Sequence, residues 1–134
     1  MIKMSFKIEI ISPEKIFFSK ENVKEVVLPA YEGEMGVLKD HISIISFLKP
    51  GIIKVYNSDN KADNYYIEDG IIEFNDNCLT VLTSKISDIK NLEKIEINKM
   101  IRDSEKELNN ENIEDGTRYL INQKLDTLRF LSLN

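Results

Sequence analysis

Few side chains in this sequence of 134 residues carry reactive chemistry, and their number limits what they can do. There is one histidine, His41, and one cysteine, Cys78. A structural zinc site takes four ligands, mostly Cys and His, so this pair does not make one at any spacing, even with a carboxylate or two. A lone cysteine forms no intrachain disulfide, which fits a reducing compartment, and Cys78 reads as a small half-buried strand residue. Glu32 and Glu34 suggest an acid/base pair. Against that role stands the expectation that the two side chains point to opposite faces of an extended segment. No Gly-rich phosphate loop followed by Lys-Ser or Lys-Thr is present, and no serine sits in a nucleophile elbow. The chain is expected not to be an enzyme.

Glu32, Glu34 and His41 lie in one stretch, Val26 to Gly51, and the elements around it must hold them. It begins as a half-buried strand, meets Pro29, and then sets Gly33 and Gly36 around Glu32 and Glu34. The glycines predict a shaped loop, because they allow positive φ and close backbone approach. His41, the apolar run Ile42 to Leu48 and the turn Lys49-Pro50-Gly51 follow.

From Phe6 to Leu82 the apolar period is close to two. Phe6, Ile8 and Ile10 alternate with Lys7, Glu9 and Ile11. Val23 to Leu28, Ile52 to Tyr56, Tyr65 to Ile67, Ile71 to Phe74 and Leu79 to Leu82 read as strands. Asn57 to Asn64 is expected as a polar hairpin loop and Asn75-Asp76-Asn77 as a tight one. About ten short strands at this spacing predict a β-sandwich or flattened barrel. With 42% hydrophobic residues the chain has enough apolar material for such a core.

Past Ser84 the spacing lengthens to three and four. Ile89, Ile97, Met100, Ile101 and Leu108 share about a third of a helical wheel, which predicts an amphipathic helix from Asn91 to Asn109. Asn109 to Asp115 is a polar turn. A second helix carries Leu120, Ile121, Leu125, Leu128 and Leu131 on one face, so the two pack as an antiparallel hairpin. The domains divide as 1–86, the β-sandwich, and 87–134, the hairpin, with the boundary near Ser84 to Asp88. A chain ending near Ser84 is expected to fold alone.

The net charge of −5 disfavours nucleic acid, whose backbone attracts basic surfaces. No targeting signal and no membrane-spanning segment is read, so membrane association is expected only through partners. Met4 is an alternative start, since the regular pattern begins at Ser5 or Phe6.

An ordered set of residues resembles the epsilon subunit of F-type ATP synthase, bacterial type, called delta in mitochondria. It comprises Ser12-Pro13-Glu14 followed by Phe18-Ser19, Val26-Val27-Leu28-Pro29, Glu32-Gly33-Glu34-Met35-Gly36-Val37-Leu38, His41, Leu48-Lys49-Pro50-Gly51, Asp69-Gly70-Ile71-Ile72-Glu73-Phe74 and Leu79-Thr80-Val81-Leu82. The set covers the first two thirds of the chain, and the last third has the length of that family's hairpin. Two stretches depart from the family pattern: Lys39-Asp40-His41-Ile42-Ser43 replaces Pro-Gly-His-Ala-Pro, and Glu68-Asp69-Gly70 replaces Ser-Gly-Gly.

The resemblance implies a non-catalytic central-stalk subunit that joins gamma to the c-ring in proton-driven ATP synthesis, on the cytoplasmic face of the bacterial inner membrane. By the same resemblance Glu32, Glu34 and His41 face the c-ring. It also implies that the hairpin, extended toward the alpha and beta subunits, inhibits ATP hydrolysis through Arg118, Lys124 and Arg129. Arg118 and Arg129, eleven residues apart, lie within roughly 20° of each other on an ideal helix. Some relatives bind ATP through Ile/Leu-Asp-x-x-Arg-Ala. The matching residues here run from Leu92 to Ile97, with Glu96 in place of the arginine, so no cofactor and no ATP on the hairpin are expected. The alternative from a different class is a free-standing protein-interaction module with a helical hairpin.

Overall fold

The computed structural model describes residues 5–13 and 15–133; Glu14 of the family-like set and the candidate starts Met1 and Met4 lie outside them. Nine strands precede two helices, close to the expected count. In β1 (Phe6–Ser12) the buried side chains Phe6, Ile8 and Ile10 alternate with half-buried Lys7 and Glu9, because successive strand side chains leave opposite faces.

The longest element is β2 (Lys15–Ala30). Its first half pairs with β1, and its second half with β3 (Gly33–Leu38) and β5 (Gly51–Asn57), all antiparallel. The change of partner falls around Asn22 and Val23, where the register with both neighbours slips. Asn22 sits at φ 61°, a left-handed value that asparagine tolerates better than most residues. Such an irregularity bends a strand. Here it carries β2 from one layer of the sheet into the other.

On the β1 side lie β8 (Cys78–Leu82), parallel to β1, then β7 (Gly70–Asn75) and β4 (Ile44–Leu48). On the β5 side lie β6 (Ala62–Ile67) and β9 (Ile86–Asp88). The layers meet again at a single pairing of Ala30 with Leu48. Ile8 and Ile10, Val26 and Leu28, Ile53 and Val55, Ile72 and Phe74 fill the space between them. Each such side chain contributes about 1.5–3 kcal/mol when fully buried.

The tight turn after Asn75 is confirmed: Asp76 and Asn77 have φ of 49° and 56°, as a two-residue primed turn requires. Gly51 is fixed by packing, since a Cβ there would stand 2.7 Å from Cβ of Pro29. The shaped loop expected around Gly33 and Gly36 is corrected. Residues 33–38 are strand β3, and only Gly33, at φ 130°, uses the freedom of glycine.

After β9 the chain makes a 3-10 turn, Ile89–Asn91, whose Lys90 N–H donates to Asp88 Oδ1 at 3.0 Å. Helix α1 (Lys94–Leu108) therefore starts three residues later than expected. A link in which Asn110 Oδ1 accepts the N–H of Asn112 at 3.0 Å leads to α2 (Asp115–Ser132). Ile97 near the start of α1 shares an apolar cluster with Leu128 and Leu131 near the end of α2, so the helices run antiparallel. Tyr66 joins that cluster, and Ile52 and Leu92 pack against it. This seats the hairpin on the outer face of β5 and β6. The expected boundary region is itself bonded to the sheet, because β9 pairs with β6.

Candidate functional site

Two surfaces of the β-domain are left open, and one of them breaks the alternation that built the core. On the outer face of the other layer, cross-strand partners line up as Phe47, Ile71, Leu82, Ile11 and Ile16. Phe47, Ile71, Leu82 and Ile16 are 59%, 42%, 47% and 61% exposed. The next row reads Ile45, Glu73, Thr80 and Glu9. An apolar row with an acidic margin on a solvated sheet face is what a protein-protein contact needs. Sequence reasoning missed this row, although a signal for it existed. Ile10-Ile11, Ile71-Ile72 and Val81-Leu82 are apolar doublets in which one partner must face outward.

The second surface is a groove of about 790 Å³ between β3 and β4. It exists because β3 pairs only with β2, while β4 pairs with β7 and touches β2 only at Ala30. Tyr31, Glu32, Glu34, Met35, Ile45 and Phe47 are among its lining residues. Both predicted acids therefore open onto one groove, and the expectation that they point apart is wrong. Residues two apart on a strand share a face. What removes them as an acid/base pair is that both are exposed, with no partner group positioned between them for proton transfer.

His41 is not brought to these acids. Glu32 lies in the turn just before β3 and Glu34 is its second residue, whereas His41 follows its end. The His41 N–H donates to the Leu38 carbonyl at 3.1 Å, Nδ1 lies 2.8 Å from the Ile42 carbonyl oxygen, and the ring meets Phe74 edge-on at 5.8 Å. Beside it, the Asp40 N–H donates to Asn77 Oδ1 at 2.7 Å and Asn77 Nδ2 donates to Asp40 Oδ1 at 3.0 Å. These bonds staple the end of β3 to the β7–β8 turn.

The three predicted hairpin residues all have partners within the chain. Arg118 Nη1 donates to the Leu108 carbonyl at 3.4 Å, and Arg129 Nη2 lies 3.5 Å from Glu105 Oε2. Lys124 Nζ lies 3.5 Å from Glu68 Oε1. Of the residues matching the ATP motif, Ile97 is buried and Glu96 is exposed on the first turn of α1. At the far end of the sheet Asp63 meets Lys20 at 3.6 Å and Lys90 at 3.5 Å. Burial alone would raise the Asp63 carboxyl, but the Asn57 amide and the two lysines hold it below its ordinary range. Among the described residues no three potential metal ligands come together.

The ATP synthase delta/epsilon chain β-sandwich domain family matches residues 5–88. The ATP synthase epsilon chain of Pelagibacter ubique is 57% identical over 127 residues, covering 95% of this chain and 97% of that one. The epsilon chain of Rhizobium etli is 33% identical, covering 91% and 86%. Among solved structures, a chain of the Euglena gracilis mitochondrial ATP synthase superposes with a TM-score of 0.77 at 21% identity, covering 99% of this chain and 82% of that one. A chain of the Tetrahymena thermophila central stalk and c-ring gives 0.60 at 16% identity, covering 98% and 96%.

Proposed function

This chain belongs to the delta/epsilon-chain family of ATP synthases, and from that premise we propose that its two open surfaces are docking sites in the central stalk. It is a non-catalytic subunit of the rotary complex. The apolar row of Phe47, Ile71 and Leu82 takes the gamma subunit, and the acidic groove at Glu32 and Glu34 takes the c-ring. The exposed row is the observation that carries this reading: a permanent interface needs an apolar centre, and no element among the described residues covers these side chains. The c-ring contact is polar and acidic, suited to the basic side chains of a loop. His41, fixed at the other end of β3, braces this domain rather than sharing that contact.

The hairpin supplies regulation. Extended toward the alpha and beta subunits, it releases Lys124 from Glu68 and offers Arg118, Lys124 and Arg129 to acidic side chains, which suppresses ATP hydrolysis. That is a population shift between two packings, each of which a partner favours. Glu96 would repel a phosphate, so nucleotide plays no part. Among the described residues no helix is long and apolar enough to cross a membrane; the complex holds the chain at the membrane, on its cytoplasmic face. With 57% identity to an epsilon chain over 95% of its length, nothing favours a free-standing module.

The test is Phe47→Asp with Ile71→Asp. Phe47 is 59% and Ile71 42% exposed, so the isolated chain stays folded by circular dichroism, with a melting temperature lowered by the two carboxylates facing each other across β4 and β7, while gamma no longer co-purifies with it. Undiminished co-purification would remove the row from the gamma interface.

A further inference from the structure

Glu68 stands where β6, the segment leading to the hairpin and α2 come together. Its Oε2 accepts the Tyr66 hydroxyl at 3.1 Å and lies 3.7 Å from Lys85 Nζ; its Oε1 lies 3.5 Å from Lys124 Nζ of α2. Among the described residues this is the only ion pair between either helix and the β-domain. Its side chains are 20% and 19% exposed, against 53% and 51% for Arg129 and Glu105. Water and salt therefore screen it less than a surface pair.

We propose that Glu68 is a release catch: its contact with Lys124 decides whether α2 rests on the sheet. The division of its two oxygens makes the catch reversible. An ordinary half-buried pair, once broken, strands a charge. Here, when α2 leaves, Oε2 keeps Tyr66 and Lys85, and Lys124 carries its own charge into water.

The residues around it define a pivot. Asp69 Oδ1 accepts the Ser84 N–H at 2.8 Å, its Oδ2 accepts the Ser84 hydroxyl at 2.5 Å, and its carbonyl accepts the Thr83 hydroxyl at 2.8 Å. Strand β9 and the Lys90 to Asp63 contact hold the chain as far as residue 90. Leu92 and Glu93 are the extended residues between the 3-10 turn and α1, and they are where the hairpin turns away. The departure also uncovers Tyr66, now fully buried under the helices, so the apolar contact and the catch together hold the hairpin, and release works against both.

The catch is independent of any partner, and only its regulatory consequence rests on the function proposed above. Hydrogen exchange on the isolated full chain, as wild type, Glu68→Gln, Lys124→Met and the double variant, tests it. Each single variant should speed exchange of α2 amides about two- to fivefold, the size of one lost ion pair, with β2 and β7 amides unchanged. The double variant should exchange no faster than the faster single one. Added salt should speed α2 exchange in the wild type but not in the double variant. Unchanged α2 exchange, or equal acceleration in β2 and β7, would overturn the catch. If α2 is released but ATP hydrolysis by the assembled complex is unaltered, the catch stands and the regulatory reading of the hairpin falls.

Discussion

Arg129 Nη2 lies 3.5 Å from Glu105 Oε2, so the ion pair of the last turn of α2 goes to α1, while its apolar side chains Leu128 and Leu131 rest on Tyr66 of the sheet. Arg118 likewise reaches α1 from the other end of α2, through the Leu108 carbonyl. These arginines bridge the two helices, whereas Lys124 bridges α2 to the sheet through Glu68.

Replacing both by alanine should cost the isolated chain little, about 0.2–1 kcal/mol for each exposed contact. In the assembled complex the same Arg118→Ala, Arg129→Ala change should raise ATP hydrolysis by a few-fold at low ionic strength. Hydrolysis measured beside a hairpin deletion is the check: activation by deletion alone would make inhibition steric, not electrostatic.

Glu34→Lys should leave the melting temperature of the isolated chain unchanged, because Glu34 is exposed at the groove. It should weaken the coupling of hydrolysis to proton pumping by placing like charges at the c-ring contact. Full coupling at low salt would take Glu34 out of that interface.

Ser104 is fully buried in α1, and its Oγ has no hydrogen-bond partner. A buried hydroxyl left unpaired costs about 1–3 kcal/mol, and serine is a poorer helix former than alanine. Ser104→Ala should therefore raise the unfolding free energy by about 1 kcal/mol or more, read from urea denaturation. A loss of stability would mean that the hydroxyl is bonded in solution.

Two buried tyrosines, Tyr65 in the core between the layers and Tyr66 under the hairpin, set an alkaline limit. Burial first, then the nearby charges of Asp63 and Asp88, push Tyr65 from 10.0 up to about 12. Burial, with the charge of Glu68 and the bond to it, raises Tyr66 as well. The folded chain favours the neutral phenols, so the Tyr65 contribution is intact below pH 10.0 and is lost as pH rises through about 12. Tyrosinate absorbance should follow unfolding in that window, and Tyr65→Phe should shift the transition upward. Ionisation of these tyrosines well below unfolding would contradict the burial argument.

Much of the fold is legible in alternation alone. Ile8 and Ile10, Ile72 and Phe74, and the α2 stripe Ile121, Leu125 and Leu128 fall where period two and period three-to-four put them. The surfaces are less legible, because they depend on which strands become neighbours. Phe47, Ile71 and Leu82 are far apart in sequence, and only the pairing of β4, β7 and β8 makes them one row. Glu34 and His41 are close in sequence, yet an intervening strand separates them. Gly33 and Gly36 suggest a loop because glycine weakens a strand; pairing with β2 overrides that preference.

The crossing of β2 from one layer to the other gives the domain an unusual mechanical continuity. In a sandwich made of separate sheets, a sideways pull on one sheet reaches the other only through interdigitated side chains, which slide. Here the two layers share one unbroken backbone from Lys15 to Ala30, bent at Asn22. Shear applied to the β4, β7 and β8 face is carried to the β5 and β6 face along covalent bonds and the hydrogen-bond ladders on either side of them. A part that must hand torque from one neighbour to another is stiffened by that thread.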